Sequence, residues 1–187
     1  DGDATVRFNA RGDGFFKWGN VELDGSTVIA KVGDDGISLV EFDAEYDITL
    51  TNSTVEALGG DWWRDYNIAL VDFDAGDDIS LSDESTVRAK VYDDGDATVK
   101  FNARGEKWFN SGDINVEDSI VEAVVDEDGD ATVEFDADND INIDPSTISA
   151  IVDEDGDALV EFEAGDDINI AHSTVEAVDE REMLLSV

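Results

Sequence analysis

Asp126, Asp128 and Asp130 stand at alternate positions in the stretch DEDGD, and Asp153, Asp155 and Asp157 repeat the arrangement 27 residues later. Carboxylates at this density do one kind of chemistry well: their hard oxygens ligate Ca²⁺ or Mg²⁺ and, in concentrated salt, Na⁺ and K⁺. Two carboxylates about 5 Å apart repel by roughly 1 kcal/mol in water and by several at lower effective dielectric, so a cation between them is stabilising. The same residues also have a purely structural use. Gly129 and Gly156 would supply the positive φ of a tight corner, with the Asp side chains capping nearby amides in Asx turns.

The remaining chemistry-bearing residues gather in three stretches: RGDGFFKWGN at 11–20, GGDWWRDYN at 59–67 and RGEKWFNSG at 104–112. They hold all four tryptophans, Trp18, Trp62, Trp63 and Trp108, together with Phe15, Phe16, Phe109 and Tyr66. Lys17, Arg64, Arg104 and Lys107, with Arg11, bring five of the eleven basic residues to the same stretches. Aromatic and arginine side chains dominate binding hot spots because they bury much area at modest entropic cost and keep a polar handle. Three uses compete: contact with identical or different protein subunits, a mini-core or end cap of the fold itself, and carbohydrate binding.

Catalytic constellations are missing from the sequence. The one histidine, His172, lies in the turn INIAHST with no second histidine near it. There is no HExxH, GxSxG or GxxxxGK[ST] motif. Carboxylates are too abundant for any pair to stand out as acid and nucleophile. The spacing DxDGD resembles the first half of an EF-hand loop, but the distal Glu and flanking helices are lacking, as is the GGxGxDx nonapeptide of calcium-binding repeats. The expectation is a protein without catalytic residues.

What must position these groups is a repeat. Six segments read aliphatic-x-Phe-x-Ala and place Phe8, Phe42, Phe73, Phe101, Phe135 and Phe162 at equivalent positions, 34, 31, 28, 34 and 27 residues apart. Each is followed by a short alternating piece (VEL, ITL, ISL, INV, INI, INI) and by a third (STVIA, STVEA, STVRA, SIVEA, STISA, STVEA). GDATVRFNARG at Gly2 recurs as GDATVKFNARG at Gly95, so three units have been duplicated to make six. Apolar and polar residues alternate in every segment, the period of a strand with one buried face. Three short strands per unit of about 27 residues, joined by Gly, Asp and Asn turns, fit one coil of a parallel β-helix.

The expected fold is therefore an all-β solenoid, one repeat domain over residues 1–178, with coils near 1–32, 33–58, 59–92, 93–125, 126–152 and 153–178. Val133, Phe135, Ala137, Ile141, Ile143, Ile148 and Ala150 should point inward, and Glu134, Asp136 and Thr147 outward. The alternative is a meander inside a sandwich, barrel or β-prism, which the same alternation would produce. Residues 179–187, with Met183, Leu184, Leu185 and Val187, leave the repeat and are expected to cap the last coil or dock into a neighbour.

Charge narrows the partners. Asp and Glu number 49 against 11 Lys and Arg, a net −38, which repels nucleic acid and anionic membrane surfaces. No apolar run reaches the roughly 18–20 residues of a membrane span, and a start at Asp1 rather than Met fits a removed leader, a removed initiator or a trimmed chain, the first of which points to export. Repulsion of this size is relieved as the Debye length shrinks to about 3 Å in 1 M salt. The abundance of Asp and Glu with only five Lys resembles the proteins of extreme halophiles, haloarchaea above all. In architecture the chain resembles solenoid modules of viral spikes, of tail and capsid decorations and of microbial surface adhesins; right-handed β-helix polysaccharide lyases and glycosidases share the coil but are usually longer. The resemblance implies a non-enzymatic structural or interaction protein, extracellular, at a cell surface or in a virion. A cation- or carbohydrate-binding surface module is the alternative.

Overall fold

A computed structural model describes residues 2–10, 19–60, 66–105 and 112–179. The described residues form eighteen strands and no helix, three strands to a coil. Sheet 1 contains β1 (Ala4–Ala10), β4 (Ile37–Ala44), β7 (Asn67–Ala75), β10 (Gly95–Ala103), β13 (Ala131–Ala137) and β16 (Ala158–Ala164), in that spatial order. Sheet 2 contains β2 (Val21–Asp24), β5 (Ile48–Thr51), β8 (Ile79–Ser82), β11 (Ile114–Val116), β14 (Ile141–Ile143) and β17 (Ile168–Ile170). Sheet 3 contains β3 (Thr27–Lys31), β6 (Thr54–Leu58), β9 (Thr86–Val91), β12 (Ser119–Val125), β15 (Ser146–Val152) and β18 (Thr174–Asp179). Pairing is parallel and always joins a strand to its counterpart in the next coil, so the chain is a β-solenoid and not a meander.

Parallel pairing in register stacks like on like. Phe8, Phe42, Phe73, Phe101, Phe135 and Phe162 form one column, with ring centroids 4.7–5.0 Å apart and planes within 10° of parallel. That separation is the spacing of hydrogen-bonded strands, so the backbone ladder itself sets the rings face over face. Val133, Phe135, Ala137, Ile141, Ile143, Ile148 and Ala150 are all buried, and the equivalent positions of the inner coils are completely so. Glu134, Asp136 and Thr147 face outward as the alternation requires. Burial of that apolar interior, at roughly 25 cal/mol per Å², is the main favourable term.

The corners explain the glycines and one family of serines. Gly129 has φ 146°, and a Cβ there would run into the Gly95 carbonyl of the coil below; Gly156 repeats this over Gly129. At the corner before sheet 3 stand Ser26, Ser53, Ser85, Ser119, Ser146 and Ser173. The amide of Ser53 donates to Ser85 Oγ at 3.3 Å, that of Ser119 to Ser146 Oγ at 3.2 Å, and that of Ser146 to Ser173 Oγ at 3.0 Å. Each of these hydroxyls then donates to a nearby carbonyl, as Ser85 does to Ser82 O at 2.7 Å.

Candidate interaction surfaces

The DEDGD stretches occupy the corner between sheet 3 and sheet 1 in successive coils, where the sequence puts them. Their carboxylates reach further than the local Asx turns expected of them. Asp155 N–H donates to Asp128 Oδ1 at 3.2 Å and Asp157 N–H to Asp130 Oδ1 at 3.1 Å, each across one coil; Asp130 N–H donates likewise to Asp96 Oδ1 at 3.2 Å. Asp126 instead meets Lys90 Nζ at 2.8 Å. The Asp96, Asp128 and Asp130 carboxylates thus serve as acceptors for the amides of the next coil.

Among the described residues, three other carboxylates of the same corner converge. Ligand oxygens of Asp93, Asp94 and Glu127 lie within 4.8 Å of one another, and Asp93 is buried. Glu127 has its carboxyl pushed above the usual range, first by a hydrogen bond with Asp93 and then by that group's charge. The sequence does not announce this cluster, because the fourth coil spells the corner YDDGD rather than DEDGD.

A second polar column runs along the corner between sheets 1 and 2. Asp113 N–H donates to Asp78 Oδ1 at 2.9 Å, Asp140 N–H to Asp113 Oδ1 at 3.1 Å and Asp167 N–H to Asp140 Oδ1 at 2.9 Å. Burial raises the Asp78 carboxyl despite the Asp113 amide that bonds to it. The signal was an Asp immediately before the second strand in five of six units.

On the outer face of sheet 1 the alternating column Arg7, Glu41, Asp72, Lys100, Glu134, Glu161 is in register. Arg7 meets Glu41 at 2.7 Å and Lys100 meets Glu134 at 2.7 Å, so each basic residue bonds an acid of the following coil. In sheet 3 Arg88 is clamped between Glu56 at 3.5 Å and Glu122 at 2.5 Å. The Asp72 carboxyl is raised by burial and by Asp74, against the lowering influence of Lys100. The outward threonines of sheet 3 line up on either side of Ile120.

Along the chain the first and third aromatic-basic stretches fall between β1 and β2 and between β10 and β11, and the second between β6 and β7. Of the twelve residues singled out there, Tyr66 and Arg104 are described. Phe15, Phe16, Lys17, Trp18, Trp62, Trp63, Arg64, Lys107, Trp108 and Phe109 lie outside the described residues, as do Met183, Leu184, Leu185 and Val187. Tyr66 is 61% exposed, and its hydroxyl donates to Asp96 Oδ2 at 2.5 Å. That bond is the main reason the phenol is pushed up to about 12. Arg104 reaches outward to 3.9 Å from Asp136.

His172 sits in a left-handed turn (φ 52°), exposed, with Nδ1 2.9 Å from Asp144 Oδ1. It borders a shallow groove with Ser119 and Ser146. The Ser119 hydroxyl donates to the Glu117 carbonyl at 2.7 Å and the Ser146 hydroxyl to that of Val116 at 3.2 Å, so these groups serve the corner. Among the described residues no helix is long and apolar enough to cross a membrane. Compared with protein-family models, with curated proteins and with solved structures, the chain gave no match.

Proposed function

We propose that this chain is a non-enzymatic structural or interaction protein of a halophilic assembly, a virion spike, capsid or decoration component or a cell-surface protein. In this reading a rigid acidic solenoid presents aromatic-basic loops to identical or different subunits. One observation carries the reading: the repeat uses its apolar residues in the stacked core and its polar corner residues in coil-to-coil ladders, while every tryptophan of the sequence falls in an insertion that interrupts the repeat. A residue type that dominates binding hot spots, held wholly in insertions outside the repeat, fits a partner-facing role.

The test is light scattering combined with tryptophan fluorescence, from about 0.2 to about 4 M KCl, a range over which screening becomes nearly complete. An assembly with shielded tryptophans is expected, and the double variant Trp18→Ser, Trp108→Ser should lose its loop-mediated contacts and shift to smaller species while keeping the wild-type circular dichroism. Solvent-exposed tryptophans in a folded monomer would refute self-assembly through the loops. A fluorescence response to glycans in that monomer would transfer the reading to a carbohydrate-binding module.

A further inference from the structure

The duplication that built this chain left an internal seam, where β7 of the third coil pairs with β10 of the fourth. Across it Leu70 faces Thr98, Asp72 faces Lys100, Asp74 faces Asn102, and the rings of Phe73 and Phe101 stack at 4.8 Å. The two open ends of sheet 1 repeat these two strands. β16 at the last coil reads ALVEFEA where β7 reads ALVDFDA, and β1 at the first coil reads ATVRFNA where β10 reads ATVKFNA.

Both end strands also lack what the seam provides. β1 and β16 show the same alternation of exposed and half-buried residues, whereas the inward residues of β7 and β10 are fully buried. In the last coil Leu159, Ile168 and Ile170 are 46%, 46% and 43% exposed. Charge is unequal too: residues 126–178 contain no Lys or Arg, while ten of the eleven lie between Arg7 and Lys107. Lys100 has an acid on each side, Asp72 and Glu134. Arg7 has Glu41 on one side and is the first of its column on the other.

We propose that the last coil of one molecule docks on the first coil of a second, so that sheet 1 runs on from β16 into β1 of the neighbour. Glu161 then stands beside the neighbour's Arg7 as Asp72 stands beside Lys100, Phe162 continues the ring column onto Phe8, and Leu159 lies against Thr5. Sheets 2 and 3 add less area, because Val21, Leu23, Val28 and Ala30 of the first coil are already less than a tenth exposed. The contact joins two different surfaces without closing, so it propagates into a head-to-tail chain, each molecule adding six coils or about 29 Å. The inference rests on the solenoid ends and not on the insertions, so either reading stands if the other fails.

The chain has no cysteine, which makes the contact directly testable in the full-length protein at high KCl. Thr5→Cys and Leu159→Cys are made singly and together, then linked by mild oxidation or a short bis-maleimide. The double variant should give a ladder of multimers whose cross-link joins positions 5 and 159, while both single variants stay monomeric. Adding Arg7→Glu, which sets a glutamate against Glu161, should cut the ladder at least tenfold. Homodimers of the Leu159→Cys variant would mean tail-to-tail docking. Failure of any variant to cross-link would mean the last coil is covered by something else, residues 180–187 first. Either result overturns the proposal.

Discussion

Single polar residues hold this fold together at its corners, where a strand must stop and the chain must turn while its amides are still covered. The serine before each third strand does this by accepting an amide from the coil on one side and returning its own proton to a carbonyl, so that neither group is left dry. Ser85 is completely buried, and Ser85→Ala would leave the buried Ser53 N–H without its acceptor. A buried unsatisfied amide costs about 1–3 kcal/mol. The variant should therefore lose that much in denaturant titration at fixed salt, well above the tenths expected for an exposed outward position such as Thr174→Ala. Equal losses at the two positions would show that the serine column is decorative.

At the scale of the strand, identical residues in register do what a mixed core does in a globular domain. Phe101 is buried between the rings of Phe73 and Phe135, whereas Phe162 has one ring neighbour in the column and is half-buried at the end. Phe101→Ala should cost about 3–5 kcal/mol, the usual range for a buried phenylalanine. Phe162→Ala should cost clearly less and should mainly loosen the last coil, because each repeat is stabilised only by its neighbours; hydrogen exchange localised to β16–β18 would verify it. The core columns were legible in the sequence because each inward residue recurs at the same step, and recurrence with period-two alternation admits few other folds. The carboxylate and serine ladders were not, since they depend on which residue stands directly across a coil. The repeated Ser of the third segment was visible, yet nothing in one copy says that its hydroxyl serves the next. Asp93 and Glu127 were harder still, being unlike residues brought to one corner by the register of β9 and β12. The insertions stand outside the six-fold repeat, the first and third recurring only with the longer duplication, so the coil period does not fix their place.

For the molecule as a whole, the unusual quantity is a net charge of −38 on a fold whose strands are stacked about 4.8 Å apart. Among the described residues three carboxyls hold their protons more tightly than usual: Asp72 through burial and then Asp74, Asp78 through burial, against the Asp113 amide and with the Asp113 charge, and Glu127 through its hydrogen bond with Asp93. A group that holds its proton more tightly when folded contributes stability that is complete below its unfolded value and is lost as pH rises through the folded one. At low salt the melting temperature should therefore rise as pH is lowered from 7 toward about 5, just above the ordinary carboxylate values, where proteins held by ion-paired carboxylates begin to weaken. Raising KCl from about 0.2 to about 2 M at pH 7 should stabilise as well, by screening repulsion between coils. The two effects should overlap only in part. Salt removes the contribution of neighbouring charges, but the desolvation of Asp72 and Asp78 persists, so a smaller acid-side gain should survive in 2 M KCl. A melting temperature that falls between pH 7 and 5 at low salt would mean that Asp72, Asp78 and Glu127 do not govern the acid side, and that charge repulsion is not what salt relieves.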